Sequence, residues 1–184
     1  MPHNIFVSSH IANQKIAFIT SKDLPEGTED DLSVKAPLEA RGYDLIPVIW
    51  DETSLIELNR FAAIIIRSPW DYQHKKEKFE NFIKSLMNLH QPVLNSPKLM
   101  LWNIDKSYLF ELEEKGINIV PSKKIPREQD SVFWKNQLEN LPWDHIVLKP
   151  TISASAYNTF KVLKTEAIKR VTQWEGLSAK ADFL

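Results

Sequence analysis

Cysteine is absent from this chain, which excludes disulfides, thiolate zinc sites and a cysteine nucleophile and accords with a reducing compartment. Glycine is scarce, with Gly27, Gly42, Gly116 and Gly176 the only four in 184 residues. No sign of charge dominates: 23 lysines and arginines face 24 aspartates and glutamates, and the basic residues are scattered. That excludes a nucleic-acid stripe and a basic membrane face. No apolar run approaches the ~20 residues of a membrane span, and Met1 to Gln14 lacks the basic start and apolar middle of a signal peptide. Together these absences predict a soluble cytoplasmic protein with neither nucleic acid nor membrane as partner. With 43% hydrophobic residues, the chain has enough apolar surface for one sizeable core or two small ones.

Taken in order, Ile5, Phe6 and Val7 are suited to an edge strand, and Lys15 to Thr20 reads as a first full strand. An acidic loop with the turn Pro25-Glu26-Gly27 follows. Leu32, Ala36 and Leu38 to Ala40 then form a helical stripe closed by Gly42, with the helix starting near Pro37. Tyr43 to Trp50 is a second strand, Ser54 to Asn59 a helical turn, and Ala62 to Ile66 a third strand stopping at Arg67, apolar as a strand covered on both faces should be. Phe79, Phe82, Ile83 and Leu86 mark a helix before a short strand at Val93 and Leu94. This alternation predicts a small doubly wound α/β domain over residues 1–95.

Parallel sheets of this kind bind ligands beyond the carboxyl ends of their strands. The rule singles out Arg67, Ser68, Trp70 and Asp71 after the third strand, and the acidic loop carrying Asp31 after the first. Two readings of Arg67 stand: its planar fork takes a carboxylate or phosphate, or it ties down a structural loop by pairing with Asp71.

A second domain is expected over residues 96–184, opening on the cap Ser96-Pro97. Leu99 to Trp102 reads as a short helix, and a further helix bears Tyr108, Leu109 and Leu112, with Lys106 at its first position. Ile117 to Val120 reads as a strand. Ser131 to Leu141 is a helix carrying Val132, Phe133 and Leu138. Ile146 to Lys149 and Thr159 to Leu163 form a hairpin, Thr165 to Trp174 a helix, and Ala181 to Leu184 starts one more strand. Between the hairpin strands, Lys149 emerges before Pro150 into the hydroxyl-rich loop Thr151 to Asn158, whose N–H groups and hydroxyls suit a polyphosphate. A surface lysine before a turn is the plain alternative, and for Lys106 a solvated lysine on a polar turn.

Asn103-Ile104-Asp105-Lys106, Gly116 to Ser122, Val147 to Pro150 and the Ser-Ala-Ser loop, in that order, resemble the front half of the ATP-grasp ligases. Val48 to Asp51 and Ile66 to Tyr72 resemble, within that superfamily, the glutathione-synthetase-like branch that includes the cyclo-ligase of cycloserine biosynthesis. The resemblance implies a pre-ATP-grasp domain followed by the N-terminal lobe of an ATP-grasp domain, cut short. It implies ATP and Mg²⁺ as cofactors and an acyl phosphate displaced by an amine. By motif, Lys106, Lys149, Ser153, Ser155 and Thr159 would meet the ATP phosphates, and Arg67, Ser68, Trp70, Asp71 and Asp31 an amino-acid-like or carboxylate substrate. The family's lid loop is glycine-rich and this one has no glycine, which makes positive φ costlier. Its adenine strand and metal ligands lie beyond Leu184, so no metal ligand is expected here, and the chain alone should not catalyse ligation. Three functions follow: the front of a ligase that dimerises or joins a missing C-terminal half, a non-catalytic small-ligand or partner-binding module, or a stable domain without function.

Overall fold

Aliphatic runs without helical spacing become strands. The computed structural model describes residues 14–184 and forms strands at Gln14–Thr20 (β1), Tyr43–Ile49 (β2), Ala63–Ser68 (β3) and Val93–Leu94 (β4). The edge strand expected at Ile5 to Val7 lies outside those residues. The four strands pair in parallel in the order β2-β1-β3-β4. β1 therefore has β2 on one side and β3 on the other, which makes the gap beyond their carboxyl ends the switch point of the sheet. Pro47 sits in β2, at the sheet edge where a missing N–H costs no ladder bond.

Helices Glu29–Ser33 (α1) and Lys35–Glu39 (α2) link β1 to β2, Leu55–Leu58 (α3) links β2 to β3, and Lys76–Leu86 (α4) leads to β4. Pro37 is the third residue of α2, in the first turn where its N–H has no intrahelical partner. The stripe read as one helix is thus two short ones. Ile16, Phe18 and Leu45 pack with Leu38 of α2 on one face. Ala17, Ile19, Ile64 and Ile66, at the alternate positions, are also buried. Right-handed crossovers put α3 and α4 on that second side, which is where Leu58, Phe79, Ile83 and Leu86 bury their side chains.

The chain divides into two compact units, one containing the residues up to Asp71 with Glu77–Pro97, the other Tyr72–Lys76 with Lys98–Leu184. The second unit holds helices Pro97–Asn103 (α5, from its second residue), Tyr108–Glu114 (α6), Ser131–Glu139 (α7), Lys164–Lys169 (α8) and Val171–Ser178 (α9), with the antiparallel hairpin His145–Leu148 (β5) and Phe160–Leu163 (β6). Its core gathers Ile125, Trp134, Leu138, Ile146, Leu148, Ala167, Trp174 and Phe183.

Four expectations are corrected here. Ile117 to Val120 forms no strand and joins no ladder among the described residues; Val120 is 82% exposed. The helix read from Thr165 to Trp174 is two helices broken at Arg170. On α7 Leu138 is buried and Phe133 packs against the core as expected, but Val132 is exposed and Trp134, one turn before Leu138, is enclosed in its place. β3 continues through Arg67 to Ser68, and its burial alternates rather than being uniform. No described helix is long and apolar enough to cross a membrane.

Trp134 is fully enclosed, and its indole N–H donates to Ser178 Oγ at 3.0 Å. Trp134→Ala is expected to lower the unfolding free energy by about 3–5 kcal/mol. Val132→Ala, on the exposed side of the same helix, should change it by under about 0.5 kcal/mol. Urea denaturation of both variants checks this, and equal losses would contradict the facing of α7.

Candidate functional site

At the switch point, the ladder between β1 and β3 slips: Ile19 pairs with Ile66 but Thr20 with Ser68, so Arg67 is the extra residue of a bulge. A bulge re-aims the side chain it carries. Arg67 is exposed, and its Nε and Nη2 both donate to Asp31 Oδ1, each at 2.9 Å. Ser68 Oγ donates to the other oxygen, Asp31 Oδ2, which also accepts the Thr28 N–H at 3.0 Å. Thr28 completes a capping box by accepting the Asp31 N–H on its hydroxyl at 3.2 Å, so the same carboxylate starts α1.

Asp31 is only 3% exposed. Burial by itself would raise its pKa; the hydrogen bonds from Ser68, Thr28 and Arg67 outweigh that and hold the carboxyl below its ordinary value. Gly27 makes room for this packing. Its φ of +85° favours glycine, and a Cβ there would stand 3.1 Å from both Asp31 Cβ and Phe18 Cε1.

Of the two readings of Arg67, the tie to Asp71 is not formed. Asp71 instead accepts the Trp50 indole N–H at 2.6 Å, and both groups are buried. Trp70 is 45% exposed. Ser21, at the end of β1, is fully enclosed with no hydrogen-bond partner for its hydroxyl.

In the second unit, Lys106 lies in the turn before α6 and not at the helix's first position as expected. Its ammonium donates to Ser153 O at 2.8 Å, Ser153 Oγ at 3.1 Å and Thr151 O at 3.4 Å. Burial pushes its pKa below the usual lysine value, the charge of Lys149 pushes it further the same way, and Asp105 opposes both. Lys149 is therefore near enough for its charge to act on Lys106.

Asp105 anchors that corner. It accepts the Ser107 N–H at 2.8 Å and hydroxyl at 2.7 Å on one oxygen, and the Thr151 hydroxyl at 3.1 Å on the other. In the loop, Ser155, Ala156 and Asn158 take φ of 48°, 57° and 49°, positions where glycine would be unstrained. Ser155 is exposed, and Thr159 turns its hydroxyl to Tyr157 O at 3.4 Å, so of the three hydroxyls expected at the phosphates only that of Ser153 bonds Lys106. The 3-10 turn Tyr72–His74 braces the loop: Tyr72 donates to Ser153 O at 3.2 Å, and His74 meets the Tyr157 ring edge-on at 4.8 Å.

Residues 16–95 match the family model described as the N-terminal domain of D-cycloserine synthetase DcsG. Over 81 residues the chain is 26% identical to the cycloserine biosynthesis protein DcsG of Streptomyces lavendulae, an alignment that covers 44% of this chain and 27% of that protein. The crystal structure of D-cycloserine synthetase DcsG superposes with a TM-score of 0.78 at 20% identity, covering 92% of this chain and 57% of its own. The RimK-domain ATP-grasp protein of Sphaerobacter thermophilus superposes with a TM-score of 0.63 at 13% identity, covering 92% and 61%. The fold is that of the front half of an ATP-grasp ligase. The chain spans a little over half the length of these solved ATP-grasp relatives.

Within this fold, the bulge at Arg67, the Gly27 approach and the brace from Tyr72 and His74 were not legible in the sequence. Gly27 was legible as a turn, but its close packing on Asp31 was not. A bulge leaves no compositional mark, and the brace joins residues some 81 positions apart.

Asp31 is held below its unfolded pKa, so its contribution to stability is complete above the unfolded value of about 3.9 and is lost as pH falls through the lower folded value. Asp31→Asn is expected to flatten stability against pH in that acid window, read by urea midpoints from pH 6 downward. A variant whose acid profile still parallels the parent's would show that Asp31 is not the linked group.

Proposed function

We propose that this chain is the N-terminal portion of an ATP-dependent carboxylate–amine ligase of the glutathione-synthetase-like type, acting on a small amino-acid-like or other carboxylate substrate. One observation carries the reading: two ammonium groups, Lys106 and Lys149, share a neighbourhood with a hydroxyl-bearing loop in a chain with this fold. ATP, when bound, supplies the phosphoryl group that converts a carboxylate into an acyl phosphate open to attack by an amine.

Lys106 and Lys149 hold the α- and β-phosphates in this reading. Lys106 exchanges its contacts with Thr151 and Ser153 for phosphate oxygen, and the loop hydroxyls of Ser153, Ser155 and Thr159 close over the phosphates. Arg67 receives the substrate carboxylate on the edge of its fork that Asp31 leaves open, and Trp70 offers an apolar plate beside it. Asp31, Ser68 and Asp71 are enclosed, so they work by fixing Arg67 and the turn rather than by touching substrate. Among the described residues, no three of His, Cys, Asp and Glu come together as metal ligands.

A second reading, a non-catalytic module for a small acidic ligand at Arg67, draws support from the engagement of Lys106 by its own loop. Calorimetric titration separates the two. ATP binding is expected to weaken at least tenfold in Lys149→Ala, about 1.4 kcal/mol of the roughly 4 kcal/mol that one placed lysine and one phosphate charge exchange. Arg67→Ala should leave ATP affinity unchanged. ATP affinity indifferent to both Lys149→Ala and Lys106→Ala would place the phosphates elsewhere. No ATP binding by the parent chain, with an acidic ligand bound through Arg67, would favour the module.

A further inference from the structure

We propose that Tyr72 is a positioning residue of the Lys106 site: its hydroxyl holds the Ser153 carbonyl when the Lys106 ammonium leaves, so the cation can turn to an anion while the loop keeps its seat. The ammonium touches three oxygens, and each of them has another partner. Thr151 O, met by the ammonium at 3.4 Å, also accepts the backbone N–H of Lys106 at 2.8 Å. Ser153 Oγ, met at 3.1 Å, also donates to Pro150 O at 3.4 Å. Ser153 O, met at 2.8 Å, also accepts the Tyr72 hydroxyl at 3.2 Å.

That redundancy matters because the oxygens are enclosed. Thr151 is 2% and Ser153 8% exposed, so water cannot replace a lost donor. A buried carbonyl left without a partner costs more than an average hydrogen bond contributes, and this cost would tie the ammonium to the loop. Two of the second partners are backbone groups of the same corner. Tyr72 is the side chain that supplies the third. Burial pushes its pKa above the ordinary tyrosine value, so it remains a donor through neutral pH.

The loop has reason to need such a hold. Ser155 and Ala156 sit in the left-handed region, a conformation that persists only where the surroundings fix it. Two turn bonds close over these residues, Tyr157 N–H to Ala154 O at 2.9 Å and Thr159 N–H to Ala156 O at 3.0 Å. With Ser153 anchored by either donor the turns stay closed; with neither, the strained residues relax. What the freed ammonium meets, phosphate oxygen, rests on the ligase reading. The hold on Ser153 does not.

The test follows amide hydrogen exchange at Tyr157 and Thr159 in the ¹⁵N-labelled full chain without ligand. Tyr72→Phe and Lys106→Met should each speed exchange less than threefold, and the double variant at least tenfold. Ile146 and Leu148, paired with β6, stay protected throughout and report that the fold is kept. Placing 4-aminophenylalanine at position 72 of the Lys106→Met chain, which restores a donor without a hydroxyl, should keep the loop amides protected. Either single variant exchanging as fast as the double overturns the proposal, as does a double variant no faster than the singles. A second measurement decides if the double variant fails to fold: in calorimetric titration, Tyr72→Phe should weaken ATP binding at least threefold, and 4-aminophenylalanine at 72 should restore it. Tighter ATP binding in Tyr72→Phe overturns the proposal, since the hydroxyl then holds the loop shut on the lysine. A parent chain that binds no ATP ends the ligase reading alone, and the exchange pattern still decides the role of Tyr72.

Discussion

An ammonium group drawn half out of water must find oxygen, and Lys106 finds it on Thr151 and Ser153. Hydrogen bonds to a charged group are worth about 1.5–3 kcal/mol each, roughly twice neutral ones, so this contact shapes the backbone around it. The loop after Pro150 curls over the lysine at the expense of three left-handed residues that are not glycine. Asp105 and Tyr72 hold the curl from two sides. In the proposed function this is the cation that exchanges those carbonyls for phosphate oxygen.

The first unit solves the opposite problem, a buried anion. Asp31 keeps its charge because every direction around its carboxylate is supplied with a donor: arginine at one oxygen, a hydroxyl and a backbone N–H at the other. The β3 bulge turns Arg67 toward that carboxylate, and Gly27 lets the loop approach closely enough for it to be enclosed. Removing any one donor would leave a charged group short of partners in a place water does not reach. The cluster therefore fixes the direction of the Arg67 fork at the switch point of the sheet.

Much of this was legible because it is local. Val93, Ile64 and Ile19 lie in apolar runs too short for helices, and the strands they predict are all present. Phe79, Ile83 and Leu86 recur at helical spacing and are enclosed as that spacing requires. Ile117 to Val120 has strand composition yet forms no ladder, because a strand exists only where a partner lies beside it. On α7 the pattern offered Val132, Phe133 and Leu138 as inward residues, and only the packing of Trp174 and Phe183 shows that Trp134 is enclosed while Val132 is not.

The sequence by itself determined the order of elements, the doubly wound character of the first unit and the residues with the chemistry to meet an anion, because periodicity, turn chemistry and charge are carried by neighbours along the chain. Tertiary structure alone decided that Arg67 pairs with Asp31 and not with Asp71, and that the charge of Lys149 reaches Lys106. Those depend on which groups meet across tens of residues. Partner choice between two carboxylates equally able to hold an arginine is settled by strand register, a single bulge here, and register is a property of the assembled sheet.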